Sequence, residues 1–378
     1  MSNDHVEASD EYAVALERLF CKGPACPDWF TPAFLAQVPA ASVAEIVAKL
    51  IRRHGPYRDA AWTGDGWMVR LREADVPVRC ALDAHGRIAG LLFQPAVRTT
   101  GEIEDFIRAI ATLPGYSAVL VTTDGRVRSK HASTVPLAVG SAFKLAVLHA
   151  TSTACEGGKL AWDQVVPLDR AWRSLPSGIL QDWPEGTPLT VAALANFMIS
   201  LSDNTATDAL IHLVGRQCVE AVSPRNAPFP TTREAFILKG EDNEAMRRTW
   251  LAADLSGRRA LLDRIAAMPD PRPDGLARSV TAEVEWFLTA EELGTLLDAT
   301  HHLPPFRINP GMVPGGRWRS VAYKGGAETG VLNLSALVIT DSGQRHCVIA
   351  TWNDVEGLDP ERLSEPFRGI LRVLEREG

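Results

Sequence analysis

Residues 140–150 read GSAFKLAVLHA, a small polar pair set into an otherwise apolar run. Ser141 follows Gly140 where a helix begins, and a three-residue step puts Lys144 on the same face one turn later. A serine hydroxyl is a weak nucleophile at neutral pH and needs a base beside it. A lysine serves once burial or a second cation removes its proton. A helix start also offers unpaired backbone N–H groups, that of Ser141 among them, to an oxyanion forming on an attacked carbonyl. This is the chemistry of acyl transfer. Taken alone, the pair is a weak signal and reads first as a helix cap followed by a lysine whose stem lies along apolar surface, so the rest of the sequence decides.

Two further stretches bear on it. ISLSDNTATDALIHLVG (199–215) places Ser202, Asp203 and Asn204 just before a helical run. These residue types are preferred helix caps, and they also suit a site. Ser202 is then the hydroxyl that carries a proton between lysines and leaving group, Asn204 holds a substrate amide or Lys144, and Asp203 braces the loop. AYKGGAETG (322–330) sets Lys324, Gly325 and Gly326 on a strand. Glycines there mark either a loosened edge with a bulge or an edge kept bare for a substrate lying along it. In the second case Lys324 supplies positive charge and the Ala327 N–H a second oxyanion donor.

The 378-residue chain is long enough for two or three cores. A net charge of −7 without a basic cluster argues against nucleic acid as partner, which leaves a small molecule or peptide. No stretch approaches the roughly 18 unbroken apolar residues of a membrane span. The polar, acidic start MSNDHVEASDEYAVALERLF differs from an export signal, so a cytoplasmic location is expected. The six cysteines (Cys21, Cys26, Cys80, Cys155, Cys218, Cys347) are few for the length. They read as reduced, mostly buried thiols, with no partner motif for zinc. Neither a metal nor another cofactor is expected.

Apolar periodicity predicts two helices within residues 11–55. AAWTGDGWMVRLRE, VPVRCALDAHG and RIAGLLFQP then predict an antiparallel meander ending near Pro95, with a connection over 95–104. From 105 a helix leads into the hairpin SAVLVTTDGRVRSKHAS, turning at Asp124-Gly125. A long helical stretch from about 141 to 300 separates that hairpin from WRSVAYKGG, GVLNLSALVIT and RHCVIATWND, and the helix PERLSEPFRGILRVLERE closes the chain. Strands on both sides of a helical block predict one sheet assembled from both ends of the segment.

Ser-x-x-Lys, then Ser-Asp-Asn, then Lys-Gly-Gly, in that order and spacing, resembles the signature of class A β-lactamases and penicillin-binding proteins. The resemblance covers about residues 105–378. It implies an α+β multidomain chain, with a helical lobe (about 141–314) inserted into an antiparallel five-stranded sheet flanked by helices (about 105–140 and 315–378). Residues 1–104 are similar to a steroid-isomerase or NTF2-like α+β domain. Two-domain proteins of that build are associated with clavam biosynthesis and resemble esterases acting on cephalosporin-type esters. The Asp base of a steroid isomerase finds only Asp65, Asp75 and Asp83, all expected at turns, so a packing or lid role is expected for this unit.

The chain also departs from the family. The Glu-x-x-Leu-Asn loop that serves deacylation in class A enzymes is absent from FPTTREAFILKGEDNEAMRR, which offers Glu234, Glu241 and Glu244 instead. Gly325 stands where a Ser or Thr hydroxyl is usual, and Arg317 and Arg319 are the nearby cations. The expected activity is a cytoplasmic serine hydrolase forming an acyl-enzyme through Ser141. Lys144 is its base, Ser202 its proton shuttle and Lys324 its electrostatic partner, with Asn204, Gly325, Gly326 and Ala327 binding substrate. Small acyl esters are the expected substrates, because an alkoxide leaves more readily than an amine. A true β-lactamase, a D,D-peptidase and a non-catalytic ligand-binding protein are the alternatives.

Overall fold

The computed structural model describes residues 4–23, 26–63, 66–276, 283–316 and 318–378, so Asp65 and Arg317 lie outside the described residues. The chain divides into two compact units, Met1–Ile103 with Arg368–Val373, and Glu104–Phe367 with Leu374–Gly378.

In the first unit, helices α1 (Asp4–Cys21) and α2 (Ala40–His54) precede strands β1 (Tyr57–Trp62), β2 (Trp67–Leu71), β3 (Ala74–Leu82) and β4 (Ile88–Phe93). The strands pair antiparallel in sequence order, a meander. Alternate residues of β2 and β3 (Trp67, Val69, Leu71; Ala74, Val76, Val78) are buried, as the two-residue period of a half-buried sheet requires. They pack with Leu16, Leu19, Val43 and Val47 of the helices. The connection after Pro95 contains a short strand, β5 (Val97–Arg98), paired with β3, and its Val97 is buried. Asp75 lies within β3 rather than in a turn, whereas Asp83 closes the β3–β4 turn by accepting the His85 and Arg87 N–H groups, each at 2.9 Å.

The second unit opens with α3 (Ile103–Ala111) and the hairpin of β6 (Tyr116–Thr123) and β7 (Arg126–His131). Asp124 and Gly125 both have positive φ (49° and 76°), the two-residue turn whose twist matches the flanking strands. Strands β8 (Trp318–Glu328), β9 (Val331–Thr340) and β10 (Arg345–Asn353) complete an antiparallel five-stranded sheet of order β8-β9-β10-β6-β7. Both ends of the segment therefore supply the sheet, and β8 is an edge strand.

Between them lies the helical stretch, with α4 (Lys144–Glu156), α5 (Val191–Ser200), α6 (Asn204–Val214), α7 (Thr232–Leu238) and α8 (Ala290–Thr300) among its helices, and α9 (Glu361–Glu377) follows the sheet. Residues on nearly every face of α4 are buried, the mark of a helix inside a core rather than on a surface. Val147 and Leu148 of α4 share one cluster with Met198, Leu210, Leu293 and the sheet residue Ile349. Lys144 thus starts a helix seated in the core. All six cysteines are unpaired. Cys347 is buried, Cys21 is exposed and the others are half-buried, a wetter distribution than expected from the sequence.

Candidate active site

Gly140–Phe143 forms a 3-10 turn that runs directly into α4. Gly140 has a φ of +49°, a conformation side chains disfavour. A β-carbon at Gly140 would sit 3.1 Å from the Ala327 backbone nitrogen. One at Gly326 would meet the Val139 carbonyl oxygen at 2.0 Å and the Ser141 nitrogen at 2.6 Å. This seam of two glycines lets the edge strand press onto the turn, and it brings the backbone nitrogens of Ser141 and Ala327 to the same place. Phe143 anchors the turn from below, stacked on Trp286 with ring centroids 3.7 Å apart.

Lys144 is fully buried. Its Nζ donates to the Ser202 carbonyl oxygen at 2.5 Å and to Asn204 Oδ1 at 2.6 Å, and it lies 3.1 Å from Ser202 Oγ. The first two partners can only accept, whereas the hydroxyl can donate. A neutral amine therefore gives two protons to the oxygens and receives the Ser202 hydroxyl proton on its lone pair. Burial, reinforced by the charge of Lys324, holds the Lys144 amine well below its ordinary value. Lys324 is also buried, and that burial pushes it down to about 7. Its Nζ donates to Ser202 Oγ at 3.1 Å and to the Gly325 carbonyl oxygen at 2.6 Å. The Ser202 hydroxyl thus bridges two amines, arranged to accept from one and donate to the other.

Ser202 is one of three non-glycine residues with positive φ (55°) among the described residues, a local strain that its neighbours hold in place. Asp203 Oδ2 accepts the Ile179 and Leu180 N–H groups at 2.7 and 3.0 Å, and its Oδ1 accepts that of Ala206 at 2.9 Å. Ser177 Oγ donates to the Ser202 carbonyl oxygen at 2.6 Å. The Asn204 amide donates to the Leu175 carbonyl oxygen at 2.9 Å, so both ends of this side chain are committed inside the protein.

Ser141 itself is half-buried and lines a narrow cleft. A direct bond from Lys144 to Ser141 is expected from the sequence, but no such hydrogen bond forms among the described residues, because Ser202 and Asn204 already take the amine. The cleft is walled by Asn204, by Phe236 and Lys239 at the end of α7, and by Trp286 and Glu328. None of the three carboxylates offered by the sequence lines it. Glu234 caps α7 and pairs with Arg216 at 2.7 Å, whereas Glu241 and Glu244 are exposed, Glu244 in an ion pair with Arg248. Arg319 is exposed as well. At Gly325, a β-carbon would lie 2.5 Å from the Tyr323 hydroxyl, so that phenol occupies the space of the missing Ser or Thr side chain.

Lys239, Glu285, Trp286 and Glu328 are absent from the sequence reading. Lys239 forms a buried ion pair with Glu285 and lies 3.8 Å from Glu328. Burial raises the Glu285 carboxyl above its ordinary range, whereas at Lys239 burial acts to lower the amine and is outweighed by the charges of Glu285 and Glu328, which raise it. The only sequence trace of this cluster is a lysine that ends the apolar run AFILK. Among the described residues no cluster of His, Cys, Asp or Glu is arranged to hold a metal ion, and no helix is long and apolar enough to cross a membrane.

Residues 101–263 match the sequence profile of the beta-lactamase enzyme family. In fold, the chain is similar to a β-lactamase from Sphaerobacter thermophilus, with 21% identity over 72% of this chain and 94% of the other and a TM-score of 0.51. It is similar also to a class A β-lactamase from Bacteroides cellulosilyticus, with 17% identity, 72% and 96% coverage and a TM-score of 0.50. An ancestral class A β-lactamase covers 73% of this chain with all of its own length, at 16% identity and a TM-score of 0.50. These likenesses show a class A β-lactamase-like α+β fold. No curated protein sequence matches the chain.

Proposed function

We propose that the protein is a serine hydrolase that forms an acyl-enzyme on Ser141 and acts on small acyl esters, those of cephalosporin type included. The observation that carries this reading is the double hold on Ser202 by Lys144 and Lys324, each amine 3.1 Å from its hydroxyl. Neutral Lys144 draws the proton of Ser202, and Ser202 in turn serves Ser141 and the leaving group. The Ser141 and Ala327 N–H groups hold the developing oxyanion, and Gly325 and Gly326 keep the edge bare for the substrate. Asn204 fixes Lys144. Esters are favoured over β-lactam amides for two reasons. An alkoxide leaves with less help from a general acid, and none of Glu234, Glu241 and Glu244, the carboxylates in the region of the missing class A loop, lines the cleft. The first unit, a meander beside helices, is read as the NTF2-like or steroid-isomerase-like partner domain in a structural role.

The test is intact-protein mass spectrometry and turnover with a chromogenic acetyl ester and a chromogenic β-lactam. Ester turnover through an adduct that Ser141→Ala abolishes is the expected result. Turnover of the β-lactam alone makes the protein a β-lactamase. A penicillin adduct that persists for hours fits a D,D-peptidase, and unchanged ester turnover by Ser141→Ala removes Ser141 as nucleophile.

A further inference from the structure

An acyl-enzyme that turns over needs a base for the incoming water, and the sequence candidates are elsewhere, so the cleft itself has to supply one. Of the side chains that wall the cleft with Ser141, Glu328 is the one carboxylate. It ends β8 immediately after Ala327, the proposed oxyanion donor, and is thus one residue from where the acyl carbonyl would lie. Its side chain is 35% exposed, so it reaches water on one side and the cleft on the other. Lys239, 3.8 Å away, steadies it. That lysine is itself fixed in the wall by Glu285, whose side chain is 1% exposed and whose second oxygen has no partner among the described residues.

Resting on the acyl-enzyme reading above, we propose that Glu328 is the general base of deacylation. Water adds its oxygen to the acyl carbonyl carbon while Glu328 takes its proton. On collapse the bond from carbon to Ser141 Oγ breaks, and the same proton passes to Oγ. The acid leaves, the serine hydroxyl is restored and the carboxylate is regenerated, so atoms and charge balance without a further reactant.

The experiment is pre-steady-state hydrolysis of p-nitrophenyl acetate by the full chain, with intact mass recorded through the time course. Glu328→Gln should keep the first-turnover burst within about twofold of wild type, which also reports an intact fold. Its steady-state rate should fall on the order of 100-fold or more, the usual scale for a lost general base, while the acetyl adduct accumulates. Glu328→Asp should recover part of the rate. Deacylation of Glu328→Gln at the wild-type rate overturns the proposal, and so does loss of its burst, which would place Glu328 before the acyl-enzyme. If the wild type forms no adduct on Ser141, the acyl-enzyme reading itself fails, and this inference with it.

Discussion

Lys144 and Lys324 converge on a single oxygen, the Ser202 hydroxyl, which lies 3.1 Å from each amine. The two nitrogens are therefore no more than about 6 Å apart. At an effective dielectric constant of about 20, two ammonium charges at that separation repel by about 3 kcal/mol. This repulsion and the shared burial act in the same direction, so the pair does not hold two protons near neutrality. Lys144 is fully buried and carries the added repulsion of Lys324, so it is the partner that gives up its proton.

A pH dependence follows. Lys324 titrates at about 7 and its charge depresses Lys144, so the two lose protons as a coupled pair. The rate of acylation should rise with pH as Lys144 loses its proton and fall, by up to about tenfold per unit, above about 7, where Lys324 loses the charge its role requires. Lys324→Met removes the positive neighbour and lets the Lys144 value climb. Its acylation profile should shift to higher pH as well as fall in amplitude. A profile that is merely scaled down, with its inflection unmoved, would show that the two amines are not coupled. Burst rates from pH 5 to 9 measure both.

Gly326 tests the oxyanion arrangement. The β-carbon of Gly326→Ala would lie 2.0 Å from the Val139 carbonyl oxygen, which only a backbone shift relieves. That shift moves strand β8 away from the Ser141 turn and separates the Ser141 and Ala327 N–H groups. Loss of one aligned donor costs about 100- to 1000-fold in rate. The acylation rate should fall by that order while the melting temperature drops only by the few degrees expected from a local change at an edge strand. Stopped-flow acylation and calorimetry on the same sample compare the two, and a rate near wild type would sink the assignment.

Much of this site is legible in the sequence, for a local reason. Ser141 and Lys144 are joined by helical spacing, and Ser202–Asn204 by a capping motif, so each carries its own geometry. The hairpin turn at Asp124-Gly125 and the sheet built from both ends were readable in the same way, from turn residues and alternation. What the sequence conceals is long-range. Lys239, Glu285 and Glu328 are scattered over three segments, and only the fold brings both carboxylates to the Lys239 amine. The commitment of Glu234 to Arg216 is equally invisible, because its partner lies outside the motif in which the glutamate was sought. The direct contact from Lys144 to Ser141 fails for a related reason: the strained Ser202 loop delivers a carbonyl and a hydroxyl to the amine, and linear spacing says nothing of that loop.

That loop gives the last prediction. Ser202 holds a positive φ because Asp203 ties down three backbone N–H groups, two of them from the facing segment at Ile179 and Leu180. Gly178, at φ +102°, makes room for the brace, since a β-carbon there would fall 2.2 Å from the Asp203 carboxyl carbon. Asp203→Asn keeps the size but has a single acceptor oxygen, so at least one N–H faces an NH₂ group and loses its partner. A cost of about 3 kcal/mol in stability is expected for buried donors left unpaired and charge-assisted bonds lost. Relaxation of Ser202 takes its hydroxyl from between the amines, so acylation should fall by about tenfold or more well below the melting temperature. Gly178→Ala attacks the same brace from the other side and should give a loss of the same kind. The two act through one contact, so the double variant should be little slower than the worse single variant. Multiplying rate losses in the double variant would show that the two positions act separately and that the brace does not set the position of Ser202.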